Sequence, residues 1–251
     1  MLLAGSPALG TLLPPASMER ALAALPLDRE ALRELYDAHR GDPAADFFEA
    51  AWDRDVLEAA VQLWFDARGR GGAVHTSEAL EIPDGGVAIV HGHLRVRGSV
   101  FVRGMLFVSG DVAVGGELGD DDVGRMTIIG GDARCGVSNT QGGLRVGGDL
   151  VASALVYGNY HEDRIVVVGA LHSPVTWLQL GKRLTAGRLD TVLLDDEVSV
   201  ARARELQRLL HPSLLRPFDL SDGDDRDIDL AELVEVDLLY ARALDGAPLL
   251  R

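Results

Sequence analysis

The sequence predicts a mainly β fold: a parallel β-helix with α-helical flanks at both ends. Three observations predict it. First, five segments align on a single glycine: Ala88–Val96, Leu106–Val114, Thr127–Cys135, Leu144–Ala152 and Ile165–Ser173. The aligned glycines, Gly92, Gly110, Gly131, Gly148 and Gly169, recur at intervals of 18, 21, 17 and 21 residues, a spacing that signals a solenoid. Second, every second residue outward from the glycine is apolar in nearly all segments, as in Val90, Val108, Ile129, Val146 and Val167. These columns face inward, because strand side chains alternate between faces. The alternate residues, among them His91, His93, Arg95, Ser109, Asp111, Asp132 and Asp149, are assigned to water. Third, the gaps are too short for crossover helices, and charge on alternate residues excludes a parallel sheet buried on both faces.

Taken in order, the chain divides into four parts. Residues 1–17 are apolar but lack a basic n-region and contain Pro7, Pro14 and Pro15, so they read as a disordered leader, with translation able to begin at Met18. Residues 18–72 form a helical N-terminal cap. Its long helix starts at the cap-and-proline pair Asp42-Pro43 and carries Phe47, Phe48, Trp52, Val56, Leu63 and Trp64 on one face. Residues 73–195 make the β-helix. Its opening coil uses Leu80 and Ile82, and Trp177–Leu180 and Thr191–Leu194 are further strands. Residues 196–251 form a helical C-terminal cap, with one helix over Val200–Leu210 and a last one starting at the capping-box-like Asp229-x-x-Glu232. Helices at both ends are expected to cover the apolar column ends and open strand edges that a solenoid otherwise exposes.

The net charge of −15 disfavours nucleic acid and anionic membrane and suits a basic protein partner. The single cysteine, Cys135, excludes an intrachain disulfide, and its inward position makes it a small core residue. Candidate chemistry is sparse. His91 and His93 point the same way from one strand, and only His161 and His172 lie near enough in sequence to complete a zinc site, so both remain weak metal candidates. The column Asp111, Asp132 and Asp149 would stack its carboxylates about 5 Å apart, where they could trap a cation or accept hydrogen bonds from corner amides. Asp222, Asp224 and Asp225 belong to a solvated acidic loop that lacks the glycine and glutamate positions of a calcium loop. No nucleophile elbow, phosphate loop or zinc-protease motif is present, so the expectation is no enzyme and no cofactor.

The segments Val90-His-Gly-His-Leu-Arg-Val96, Val108-Ser-Gly-Asp-Val-Ala-Val114 and Val146-Gly-Gly-Asp-Leu-Val-Ala152 resemble the coils of the polymer-forming cytoskeletal, bactofilin-like β-helices. The resemblance covers residues 88–173 and implies a solenoid that polymerises end to end. The helical flanks depart from that pattern. Helix-flanked β-helices of a broader kind are also assigned as immunity partners of bacterial toxins. The expected function is a non-catalytic, cytoplasmic protein-binding module, an immunity-type inhibitor of a basic toxin, acting as a monomer or small homo-oligomer. The acidic residues Asp111, Asp132, Asp149, Asp222, Asp224 and Asp225 would form its partner-binding surface. The alternatives are a self-assembling, bactofilin-like structural protein and a β-helix enzyme of sugar processing or acyl transfer.

Overall fold

The computed structural model describes Glu34, Asp37, Ala38, Val61, Phe65 and residues 72–160, 163–217 and 227–251. The leader, most of the N-terminal helical unit, His161 and the acidic loop with Asp222, Asp224 and Asp225 lie outside the described residues.

The fold is a three-sided parallel β-solenoid. Strands β1 (Ala73–Ser77) and β2 (Leu80–Ile82) make an incomplete opening coil. The first full coil is β3 (Val87–Val90), β4 (Gly92–Val96) and β5 (Val100–Val102), and the second is β6 (Met105–Val108), β7 (Val112–Val114) and β8 (Glu117–Gly119). Longer strands then bend around corners: β9 (Met126–Ile129) with β10 (Ala133–Thr140), β11 (Gly143–Val146) with β12 (Leu150–Gly158), β13 (Arg164–Leu178) alone, and β14 (Arg183–Leu194) alone. Every pairing among them is parallel. Side 1 stacks β3, β6, β9, β11 and the first parts of β13 and β14. Side 2 stacks β1, β4, β7 and the middle parts, and side 3 stacks β2, β5, β8 and the last parts.

The register matches the apolar columns. Val90, Val108, Ile129, Val146, Val167 and Ala186 are successive partners on side 1. Leu94, Val112, Ala133, Leu150, Leu171 and Leu189 follow one another on side 2. These columns form the interior core. Each aligned segment is therefore two strands meeting at a corner, with the glycine at the bend. The stacked glycines bond directly: Gly110, Gly131, Gly148 and Gly169 each donate their N–H to the carbonyl of the preceding glycine, at 2.8–3.0 Å. Within the expected span of 73–195, Leu184, Ala186, Gly187 and Leu189 add a sixth segment to the five aligned on glycine.

Two outer faces are apolar and covered. On side 1, Ile89, Phe107 and Ile128 point outward yet are buried, as are the helical Val61 and Phe65. The Phe65 ring lies 3.1 Å from where a Cβ on Gly130 would stand, which places it on the flank of the third coil. On side 3, Val137, Leu155, Val175 and Trp177 face outward into a second core. The C-terminal segment supplies the rest of that core. It comprises β15 (Glu197–Ser199), α1 (Val200–Leu209), β16 (Asp227–Asp229), α2 (Leu230–Leu233) and α3 (Val236–Leu244). β15 and β16 pair antiparallel, and Leu206, Leu210, Leu233 and Leu239 pack inward. The expected single last helix is divided in two: Leu214 accepts the Glu235 N–H and Leu233 accepts the Arg216 N–H, which interrupts the helical ladder. The start is as expected, with the Asp229 side chain accepting the Ala231 N–H at 2.8 Å. Because side 3 presents an apolar outer face, this segment lies along a flank of the solenoid. No helix among the described residues is long and apolar enough to cross a membrane.

Candidate functional site

The Gly-Asp corner is a hydrogen-bonded ladder. Asp111 Oδ1 accepts the Asp132 N–H at 3.0 Å, Asp132 Oδ1 accepts the Asp149 N–H at 3.0 Å, and Asp149 Oδ1 accepts the Ala170 N–H at 2.7 Å. Each carboxylate thus reaches along the solenoid axis to the same position one coil on. The glycine of the following coil makes this possible: a Cβ on Gly131, Gly148 or Gly169 would collide with the carboxylate of Asp111, Asp132 or Asp149 respectively. His93 fills the aspartate position of the first coil, where its Nδ1 accepts the Asp111 N–H at 3.0 Å. That bond fixes Nδ1 as the unprotonated nitrogen, so the neighbouring Asp111 Oδ2, 3.3 Å away, is not its hydrogen-bond partner.

This geometry reassigns several candidates. Half of each carboxylate in the aspartate column is committed to a backbone amide, and the His93 lone pair is used in the same way. His91 Nδ1 lies 3.3 Å from Ser109 Oγ. Ser109, expected in water, is fully buried, and its Oγ accepts the Gly92 N–H at 2.8 Å. Among the described residues no group of three or more histidine, cysteine, aspartate or glutamate side chains is arranged to hold a metal ion. Cys135 is buried, and burial, with a smaller contribution from Glu117, pushes its thiol up to about 12, which makes it an inert core group.

Sequence reasoning missed a buried polar corner between sides 3 and 1. Asp120 Oδ1 accepts the N–H groups of Gln141 and Gly142 at 2.7 and 2.8 Å, and its Oδ2 accepts the Thr140 hydroxyl at 2.6 Å. Lys182 Nζ donates to the carbonyls of the same two residues, Gln141 and Gly142, at 2.8 and 2.6 Å. Burial raises the Asp120 pKa, and the bonds from Thr140, Gly142 and Gln141, with the Lys182 charge, oppose that rise. The turn is clasped from both sides, so this corner fastens coils together. An aspartate before a strand corner and a lysine four residues after Leu178 carry no periodic signal that could have announced it.

A cleft of about 490 Å³ separates the corner of sides 2 and 3 from residues 243–249, and among the described residues Glu117 is the only ionisable one in its lining. Glu117 Oε1 already accepts the Tyr240 hydroxyl at 2.6 Å and the Asn139 amide at 2.9 Å, so the cleft presents no free acid–base pair.

The feature that does face outward is the last coil. β14 pairs with β13 alone among the described residues, and its second edge has no strand partner. Leu171 and Leu189 are partners in one inward column, but Leu171 is 0% exposed and Leu189 49%. Leu184, Ala186 and Leu193 end the other inward columns and are only partly buried. The C-terminal segment covers one portion of this edge, where Arg202 donates to the Leu193 carbonyl at 2.9 Å. Among the described residues none pairs with sides 1 and 2 of this edge. Over the described residues the C-terminal segment packs on the apolar flank of side 3 and reaches the end of the solenoid at that portion.

No protein-family model, no curated protein and no solved structure matches this chain.

Proposed function

We propose that this protein is a non-catalytic solenoid that works by associating with protein, and that the open sixth coil is its interface. The exposure of Leu189 at a core register position carries this reading. An inward-facing leucine at a strand edge lies half in water, beside a run of backbone groups with no strand partner among the described residues. Such an edge is a template for a partner strand, with backbone bonds giving affinity and the apolar column giving fit. The engagement of Asp120, Glu117 and the aspartate column in internal hydrogen bonds supports a scaffold over an enzyme. The test compares the intact chain with Leu189→Glu for association with itself and with proteins of its host. Loss of association in the variant, at an unchanged melting temperature, supports the reading, and unchanged association sinks it.

A second reading, an immunity-type or otherwise inhibitory contact with a basic protein in the cytoplasm, is supported by the net charge of −15 and by the outward Oδ2 face of Asp111. It predicts association that slows between low and physiological salt, and that weakens when Asp222, Asp224 and Asp225 are neutralised together.

A further inference from the structure

We propose that the occupant of the open coil is a second copy of this chain, joined tail to tail about a two-fold axis through Leu189 into a closed dimer. This inference rests on the reading of the sixth coil as an interface. Three observations commit it to that occupant.

The first is self-complementary charge. On side 2 of β14 the sequence is Arg188-Leu189-Asp190, with Leu189 inward and its two neighbours outward. Antiparallel pairing centred on Leu189 sets Leu189 against Leu189 of the second copy, and Arg188 against Asp190 of the second copy, twice. Residues directly opposite in an antiparallel pair point to the same face, so both ion pairs form on the outside while the leucines close the core. The second is presentation. His172, one coil back, donates from Nδ1 to Asp190 Oδ2 at 3.0 Å and accepts from Arg188 at Nε2 at 3.4 Å. One imidazole holds the cation and the anion of the edge side by side. The third is asymmetry between the two ends. At the opening coil the side 2 column ends in His75, the partner of Leu94, and Ser77, the partner of Val96. His75 Nε2 contacts the His91 carbonyl at 3.2 Å and the Ser77 hydroxyl donates to the Ala79 carbonyl at 2.6 Å. Head-to-tail stacking would set His75 on Leu189 and offer no partner to Arg188 or Asp190. Among the described residues the side 2 column is apolar and flanked by matched charges at the tail and ends in His75 and Ser77 at the head, so association through this column stops at two chains.

The experiment uses the full chain and measures mass by sedimentation equilibrium over a wide concentration range. The wild type should reach twice its 26.8 kDa and no more. Arg188→Asp places two acidic residues opposite each other, and Asp190→Arg two basic ones, so each variant alone should associate at least about tenfold more weakly. Mixed in equal amounts, the two should form a mixed dimer of wild-type strength, because both cross-pairs are restored. The double variant Arg188→Asp/Asp190→Arg should also recover. Both positions are exposed, and circular dichroism with thermal melting confirms that each variant is folded. As an independent measurement, Leu189→Cys should oxidise to a disulfide-linked dimer. A monomeric wild type, single variants that still dimerise, a mixture that fails to pair, or species growing beyond two chains would each overturn the tail-to-tail dimer. The broader reading of the coil as an interface falls separately, if Leu189→Glu leaves all association unchanged.

Discussion

The carboxylate of Asp132 occupies the space that a Cβ on Gly148 would take, and from there its Oδ1 accepts the Asp149 N–H at 3.0 Å. The recurrent Gly-Asp pair is thus one device shared between coils: the glycine of each coil makes room for the aspartate of the coil before it. Asp132→Ala removes one acceptor at a partly exposed corner and should cost about 1 kcal/mol. Gly148→Ala should cost about 1–3 kcal/mol, since its Cβ also meets the Gly131 backbone carbon at 3.0 Å. The double variant should be less destabilised than the sum, because deleting the carboxylate removes the larger clash. Denaturant titration of all four chains measures the coupling, and strict additivity would contradict the shared device.

The interior columns predict a sharper loss. Val146 is fully buried, with Ile129 and Val167 as its strand partners before and behind. Val146→Asp would place a carboxylate among apolar side chains with no room for a partner, at a cost of several kcal/mol. Coils bury their columns only by stacking, so the effect should spread through the solenoid. Loss of the cooperative melting transition is the expected result, and a melting temperature near wild type would refute the column assignment.

These two predictions rest on the most legible part of the chain. A period near twenty with alternating apolar residues exposes the inward register in Val90, Val108 and Val146, since each position meets its equivalent one coil away. The sixth coil was harder to read because Gly187 is followed by Arg188 in place of the aspartate that marks three of the earlier coils. The covering layers left a weaker trace. Phe107, Leu155 and Trp177 stand on outward positions, where an apolar residue breaks the alternation but does not say which element covers it. The corner around Asp120 was invisible, because its partners Thr140, Gln141, Gly142 and Lys182 converge only through the coiling. The face on which the C-terminal segment packs, the outer side 3, is likewise not decided by local sequence.

At that corner the pH dependence has a definite sign. Burial raises the folded-state pKa of Asp120 above its unfolded value of about 3.9. Its contribution to stability is therefore complete below about pH 4 and declines as pH rises through the folded value. Asp120→Asn keeps an oxygen for the Gln141 and Gly142 amides and titrates in neither state. The stability of wild type relative to this variant should fall as pH is raised from about 3 toward neutrality. Asp120→Ala leaves the buried Gly142 amide and the part-buried Gln141 amide without an acceptor and should lose about 1–3 kcal/mol at every pH. Urea midpoints across that range test both statements. A difference between wild type and Asp120→Asn that grows with pH would reverse the assigned sign.

Beside the apolar contacts of side 3, a polar triangle helps to fasten the C-terminal segment to the solenoid, and its chemistry gives an alkaline test. The Tyr240 hydroxyl donates to Glu117 Oε1 at 2.6 Å and accepts from Asn139 Nδ2 at 2.8 Å, while Asn139 also donates to Glu117 at 2.9 Å. Tyr157 lies beside it, with ring centroids 6.0 Å apart. Burial first, and then the adjacent Glu117 carboxylate, raise the Tyr240 pKa, because ionising the phenol would set two anions against each other. Tyr240→Phe leaves Glu117 without its shortest donor and should cost about 2 kcal/mol at neutral pH. A raised folded-state pKa means that the Tyr240 contribution is complete below about pH 10, the unfolded value, and is lost as pH rises through the folded one. Wild type should therefore lose stability more steeply than Tyr240→Phe above pH 10. Part of the slope should persist in the variant, since burial pushes Tyr157 up to about 12 as well. Denaturant midpoints from pH 8 to 11 on both chains, read by circular dichroism, make the comparison. Equal alkaline slopes would show that the triangle does not hold the segment in place.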